Sequence, residues 1–360
     1  MRYGESAARQ AAALRTKENV RILALETSCD ETAAAVIENG RRILSNVVFS
    51  QIDLHELYGG VVPEIASRAH MEACDRVVDE ALKNAGMTLQ EVDALAVTCG
   101  PGLVGALLTG VSCMKGLAYA SGKPLVAVNH IEGHVSANFL TWPELEPPFL
   151  CLVVSGGHSH LVEVADYGVY RLLGQTTDDA AGEAFDKAAR VLGLPYPGGP
   201  RIDVLAEEGD PHALKLPHPR IEGRYNYSFS GVKTAFLNAV HSLEQRGERL
   251  PKADLAASFR EAVCAQLTEK AELLLRDRGA GGGTGPAMAM AGGVSANREL
   301  RRQMTAMCGR LGVPLYMPRT DLCTDNGAMI GSAAYYRLRR GDIADLSLNA
   351  VPALRLDYAI

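Results

Sequence analysis

The chain has 360 residues, which at about 150 residues per domain points to two domains. Its hydrophobic fraction of 47% and charged fraction of 22% are ordinary for a soluble globular protein, and no stretch approaches the ~18 apolar residues of a spanning helix. Aromatics at 6% argue against large stacking platforms for single-stranded nucleic acid, and a net charge of −6 argues against a general nucleic-acid coat protein. Residues 1–19 carry Arg2, Arg9, Arg15 and Lys17 but no long apolar core, so the segment reads as a frayed or weakly helical extension, not a secretory signal. Ile22–Leu25 is the first strand signal. A polar ETSCDE turn follows, then an apolar run from Thr32 to Ile37, as in a hairpin with a wide turn. Helical spacing marks Glu64–Ala85, with Gly86 as a stop. Ala94–Val97 reads as a short buried strand, Leu103–Ala120 as an apolar helix and Leu125–Val128 as another strand.

The second half opens like the first. Phe149–Val154 is a buried-type strand, Ser155–Ser159 a glycine turn, and His160–Val164 returns. Two such units suggest duplicated lobes, and two unrelated hairpins fit the pattern as well. Helices are expected over Asp178–Leu192, Asp254–Arg276 and Ala296–Leu311, and a strand over Met288–Ala291. Strands alternating with helices mean an α/β class. Gly279–Gly285 has the composition of a phosphate loop but lacks the following Lys-Ser/Thr, so a surface connection is expected. The eight cysteines are scattered without C-x-x-C pairing, which fits a reducing cytoplasm.

Three constellations carry chemistry. In His130-Ile131-Glu132-Gly133-His134 the histidines stand at i and i+4, on one helical face, close enough to share a metal. A zinc protease would place its glutamate directly after the first histidine. Here Glu132 comes two residues after it and points off the histidine face, which weakens that reading. A hydrogen-bonded histidine pair is the plain alternative. A third ligand is offered by Asp325, which could equally cap the helix that follows (Ala328–Tyr336). Two histidines and one carboxylate suit Fe(II) or another divalent ion with open positions. The second constellation is the pair of turns Ser155-Gly156-Gly157 and Gly292–Asn297, whose backbone amides could cradle phosphate, with Asn297 free to bond a base or ribose. Asp30-Glu31 is an acidic turn that could face them. The third is Asp179, Glu183, Asp186 and Lys187 at three- and four-residue spacings, either an acidic first helical turn or a face for substrate hydroxyls or ammonium groups. Pro197–Pro200 breaks the chain, and Asp203 is expected to start the next helix.

The motifs LETSCDETAAAV, GPGLVGALLTG, NHIEGH, VSGGH, DDAAGEAFDKAARVLGLPYPGGP, YNYSFSGVKTA, AGGVSANR and TDNGAM resemble, in order and over residues 20–345, those of the bacterial-type TsaD (Gcp/YgjD) family of tRNA N6-adenosine threonylcarbamoyltransferases. The resemblance implies an actin-like ASKHA fold of two duplicated α/β lobes with the active site between them. It implies an extension (1–19), lobe I (20–148), lobe II (149–320), a C-terminal helix returning to lobe I (321–345) and a tail (346–360). It further implies transfer of the threonylcarbamoyl group from threonylcarbamoyl-AMP to N6 of adenosine 37, in tRNAs reading ANN codons, with release of AMP. Metal ligation carries over to His130, His134 and Asp325, for one divalent ion per subunit, Fe(II) first, with Zn or Mg as alternatives. Nucleotide contacts carry over to Val153, Val154, Ser155, Gly156, Gly157, Asp186, Gly199, Asp203 and Asn297. Asp30 and Glu31 match the family's acidic turn, and one of them is expected to position a water or accept the proton. Implied partners are tRNA, a TsaB-like paralogue and a TsaE-like ATPase, with no membrane. The helices Glu64–Ala85 and Leu103–Ala120 are candidate partner surfaces. Lys215, Arg220, Arg224 and Lys233, and Arg298, Arg301, Arg302 and Arg310, offer local basic faces despite the acidic total. A metalloprotease and an ATP-driven switch of the actin kind are the competing readings.

Overall fold

The computed structural model describes residues 3–219, 221–281 and 285–357. In chain order the elements are α1 (Tyr3–Leu14), β1 (Arg21–Glu26), β2 (Glu31–Glu38), β3 (Arg42–Ser50), α2 (Ile52–Glu56), α3 (Pro63–Asn84), β4 (Ala94–Gly100), α4 (Val104–Ser121), β5 (Leu125–Asn129) and α5 (His130–Thr141). Then come β6 (Phe149–Val154), β7 (Ser159–Asp166), β8 (Val169–Gln175), α6 (Ala181–Val191), α7 (Gly198–Leu205), α8 (Ser230–Gln245), α9 (Lys252–Asp277), β9 (Met288–Ala291), α10 (Arg298–Leu311), β10 (Leu315–Tyr316) and α11 (Gly327–Arg340). The chain divides into two compact units. The first holds Met1–Pro147, Ala165–Tyr170 and Pro318–Ile360, and the second Pro148–Val164 and Arg171–Met317.

The first sheet has strand order β3-β2-β1-β4-β5. β1, β2 and β3 form an antiparallel meander, with β4 parallel to β1 and β5 parallel to β4. The second sheet, read from its far edge, runs β8-β7-β6-β9-β10. There too β7 is antiparallel to β6, while β9 and β10 are parallel additions. The two orders are the same, so the paired hairpins are a duplication and not a coincidence. The third strands, β3 and β8, and helix α8 had no clear sequence signal.

In the first unit both sheet faces are covered, which is why Ile22–Leu25 of β1 are all apolar. Successive residues point to opposite faces. Ile22 and Ala24 pack with Val126, Met329, Ile330 and Leu338 on one side. Leu23 and Leu25 pack with Val77, Val97, Val111 and Met114 on the other. In the second unit Leu150, Leu152 and Val154 of β6 pack against Phe185, Phe236, Phe259 and Leu267. Each such side chain contributes about 1.5–3 kcal/mol by leaving water.

The structure decides two local expectations. From Tyr3 the N-terminal extension takes the helical and not the frayed alternative, and the helix is anchored: α1 buries Ala7 and Ala11, and Tyr3 Oη donates to the Lys123 carbonyl at 2.8 Å. Asp203 does not start a helix. It lies in the last turn of α7, which begins inside the expected break at Gly198. Proline fits a first helical turn because the amide it lacks has no partner there anyway. Of the Gly279–Gly285 connection, Gly282, Gly283 and Thr284 lie outside the described residues, as does Arg220.

Candidate active site

The histidine motif begins where β5 becomes α5. Asn129 caps the helix, its Oδ1 accepting from the amides of Ile131 at 2.8 Å and Glu132 at 3.4 Å. His130 and His134 then stand one turn apart, their rings edge to face with centroids 4.6 Å from each other. Gly133 between them lets α11 pack closely, since a Cβ there would meet Ile330 Cδ1 of α11 at 2.7 Å. Gly327 plays the same part at the start of α11, where a Cβ would lie 2.6 Å from the Ala34 carbonyl carbon. These contacts press α11 onto α5 and β2 and bring Asp325 to the histidines. Asp325 Oδ1 is 3.5 Å from His130 Nε2 and 3.2 Å from His134 Nε2. The helix cap is the next residue, Asn326, whose Oδ1 accepts from Met329 N at 2.9 Å. The N-cap of α11 is therefore Asn326 and not Asp325.

The donor set fits a divalent metal ion. The three ligand atoms lie within 4.8 Å of one another, which among the described residues is the one such cluster. Both nitrogens of His134 are buried without a hydrogen bond, so the 3.2 Å approach to Asp325 is a contact without hydrogen-bond alignment. A metal ion would use that lone pair. Behind His130 stands Glu26, fully buried at the end of β1. Its carboxylate accepts from Ser28 N and Thr98 Oγ1, both at 2.5 Å, and lies 3.2 Å from His130 Nδ1. A carboxylate behind a ligating imidazole fixes the tautomer that turns Nε2 toward a metal. Burial disfavours charge on His130, yet Asp325 and Glu26 outweigh it and raise its pKa to about 9. The spot favours a positive charge, whether a proton or a metal ion carries it. Glu26 escaped the sequence reading. Its only signal was an acid ending an otherwise apolar strand.

The acidic turn belongs to the same unit. Asp30 is buried, and Ser50 Oγ donates to Glu31 Oε1 at 3.3 Å. Burial, then the charges of Asp30 and Asp325, push the Glu31 carboxyl well above its usual range. The turn is thus electrostatically coupled to the His/Asp cluster. Glu132, by contrast, is buried against Arg337 at 2.9 Å. It has no access to a substrate water, which removes the base a protease would need.

In the second unit, parallel β6 and β9 set the two glycine turns side by side. Gly292, at φ +86°, would clash through a Cβ with the Val154 carbonyl oxygen at 2.4 Å. The carbonyls of Ser155 and Gly156 accept from Gly182 N and Glu183 N, so the turn after Val153-Val154 sits on the start of α6, with Gly157 exposed. Asp186 Oδ1 accepts from Gly198 N at 2.7 Å and Gly199 N at 3.3 Å. Asp203 pairs with Arg260 at 2.9 Å and accepts from Arg298 N at 3.2 Å. Asn297 caps α10, its Oδ1 accepting from Leu300 N at 3.0 Å, which leaves its amide nitrogen to donate. A cavity of about 320 Å³ in this unit is lined by Ala206, Gly209, Glu261, Arg298 and Arg260, the partner of Asp203. The third constellation is mostly internal. Asp179 pairs with Lys187 at 3.0 Å and with Lys233, while Glu183 pairs with Lys187 at 2.8 Å. Several cations of the two basic spans also have carboxylate partners. Arg224 pairs with Asp277, Arg302 with Glu299 and Arg310 with Glu272. That reduces the field they offer a polyanion.

Duplicated units with this strand order define an actin-like protein of the ASKHA fold. Solved structures agree on the fold. Full-length HypF superposes with a TM-score of 0.59 at 12% identity, over 89% of this chain and 55% of that one. Component A of the (R)-2-hydroxyglutaryl-CoA dehydratase of Acidaminococcus fermentans gives 0.53 at 15% identity, over 89% and 99%. Sequence comparison is more specific. The family profile described as TsaD, tRNA N6-adenosine threonylcarbamoyltransferase, matches residues 42–332. Proteins of that name from Clostridium perfringens and Clostridium botulinum are 54% and 51% identical, over 93% and 94% of this chain and 98% and 99% of theirs. The chain belongs to the tRNA N6-adenosine threonylcarbamoyltransferase family and is a transferase.

Proposed function

We propose that this protein moves a threonylcarbamoyl group from threonylcarbamoyl-AMP to N6 of adenosine 37 in tRNAs reading ANN codons and releases AMP. The observation that carries the reading is the His130–His134–Asp325 cluster with Glu26 behind it, in a chain of this family. The adenine N6 attacks the carbamoyl carbon, the bond from that carbon to the phosphate oxygen breaks, and AMP leaves with the electron pair. His130, His134 and Asp325 would hold one divalent ion, Fe(II) first among candidates, with Zn or Mg as alternatives. Such an ion supplies Lewis acidity toward the phosphate and carbamoyl oxygens.

The remaining work falls to the chain itself. The turns Val153–Gly157 and Gly292–Asn297, with Asp186, Gly199 and Asp203, bind the nucleotide portion, and backbone amides face the charge gathering on the leaving phosphate. Adenine N6 is a weak nucleophile, so holding it in place matters more than strong basicity. Asp30 or Glu31 positions a water or takes the N6 proton. The exposed Met71, Val104, Leu108 and Tyr119 on α3 and α4 support these helices as the seat of a TsaB-like paralogue, with a TsaE-like ATPase as a further partner. Eight free cysteines fit the cytoplasm. Among the described residues no helix is long and apolar enough to cross a membrane.

The test is transfer of labelled threonine from threonylcarbamoyl-AMP to tRNA, with and without the partner proteins. No incorporation under any combination ends the proposal. Full transfer by an Asp30→Asn, Glu31→Gln double variant ends the role given to the acidic turn.

A further inference from the structure

Beneath the acidic turn lies a buried polar network that neither the metal cluster nor the nucleotide turns use. His70 of α3, Thr32 of β2, and Gln51 and His55 at α2 are all at most 1% exposed. His70 Nε2 lies 2.9 Å from the Cys29 carbonyl oxygen, and His70 Nδ1 lies 2.7 Å from Thr32 Oγ1. The Gln51 amide donates to the Asp30 carbonyl at 3.0 Å. His55 Nε2 is 3.2 Å from Gln51 Oε1, and Val62 N donates to His55 Nδ1 at 3.3 Å.

The proton positions follow from chemistry. A backbone carbonyl only accepts, so His70 Nε2 carries the hydrogen and Nδ1 must accept from the Thr32 hydroxyl. The same logic makes His55 donate through Nε2 to Gln51 Oε1. Burial holds both imidazoles below their usual range, hence neutral. His70 thus grips the chain at Cys29 and at Thr32, the residues flanking Asp30-Glu31. Gln51, itself fixed by His55, holds the carbonyl between them.

We propose that His70 is a positioning residue for the transfer reaction, clamping the Asp30-Glu31 turn so that its carboxylates meet the substrate in one geometry. This rests on the role given above to those carboxylates. A displacement of about 1 Å in such a group can cost about a hundredfold in rate.

Three variants test it in the full-length protein, in the threonine-transfer assay with the partners that wild type requires. His70→Phe keeps an aromatic ring and removes the donor. His70→Gln can still reach the Cys29 carbonyl with an amide. Thr32→Val keeps the side-chain shape and removes the hydroxyl that bonds His70 Nδ1. The expected result is a kcat loss of about tenfold or more for His70→Phe, with KM for tRNA within about twofold of wild type. His70→Gln recovers most of the loss, and Thr32→Val falls between. Amide exchange should quicken at residues 28–32 and nowhere else. Wild-type kcat in His70→Phe overturns the proposal. If His70→Phe unfolds more widely, Thr32→Val decides, and unchanged kcat there also overturns it. Full activity in Asp30→Asn, Glu31→Gln would instead remove the parent reading. Loss in that pair without loss in the His70 variants removes this inference alone.

Discussion

Glu26 shows how much of the candidate site depends on a residue that need not touch substrate. Its carboxylate takes hydrogen bonds from Ser28 and Thr98 and faces His130 Nδ1. Glu26→Gln keeps the shape but removes the charge that orients the imidazole. We expect metal affinity to fall about 10–100-fold, measured by competition with a chromophoric chelator. His134→Ala, which deletes a ligand outright, should abolish stoichiometric binding in the same titration. At this scale the sequence was legible where spacing encodes geometry. The i, i+4 histidines needed only helical periodicity. Asp325 was visible as a candidate, but its competing use as a cap was settled only when Asn326 took that place. Glu26 was illegible because its partners Thr98 and His130 are remote in sequence and meet it only through the β1–β4–β5 pairing.

The acidic stretch that opens α6 works chiefly as a fastener between helices. Asp178 Oδ1 accepts from the amides of Phe229 at 2.8 Å and Ser230 at 3.2 Å, closing the start of α8. Asp178→Ala should cost about 1–2 kcal/mol of stability in urea unfolding followed by circular dichroism. Asp179 bonds Lys187 at 3.0 Å and also Lys233. Burial opposes its ionisation, but the two lysines outweigh that and lower its pKa. A depressed folded value gives stability that is full above the ordinary aspartate pKa of about 3.9 and is lost as pH falls through the folded value. Asp179→Asn should therefore be less stable than wild type at neutral pH and converge with it in strong acid. The hairpins and long helices were readable from apolar spacing, whereas the start of α6 at Ala181, and not at Asp178, was not. An acidic first turn and a tertiary cap look alike until α8 arrives. α1 was legible only as a weak helix or a frayed end, because its buried residues are mostly alanines, which carry little hydrophobic signal, and α11 supplies the partner surface.

For the whole molecule, the His/Asp cluster lies within the first of the two units. A ligand that binds only the folded form stabilises it by about 2.7 kcal/mol at a hundredfold excess over its Kd. Adding metal should slow amide exchange in β1, β5, α5 and α11 while leaving β6 and β9 unchanged, and a chelator should reverse this. Equal protection of both sheets would contradict a site confined to the first unit. The duplication itself was half legible. Each lobe announces its first hairpin, but the order of the remaining strands depends on crossovers that local sequence does not record.

The return of the chain also sets a timetable for synthesis. The histidines are translated before the middle of the chain, whereas Asp325 emerges after the second unit has been made, because the first unit is closed only by Pro318–Ile360. A ribosome-bound nascent chain cannot bring His130, His134 and Asp325 together early, and any product ending before Asp325 carries the imidazole pair without its carboxylate. On the metal reading proposed above, cation capture would wait until translation is nearly finished, and a product terminated before Asp325 would lack the full set of ligands.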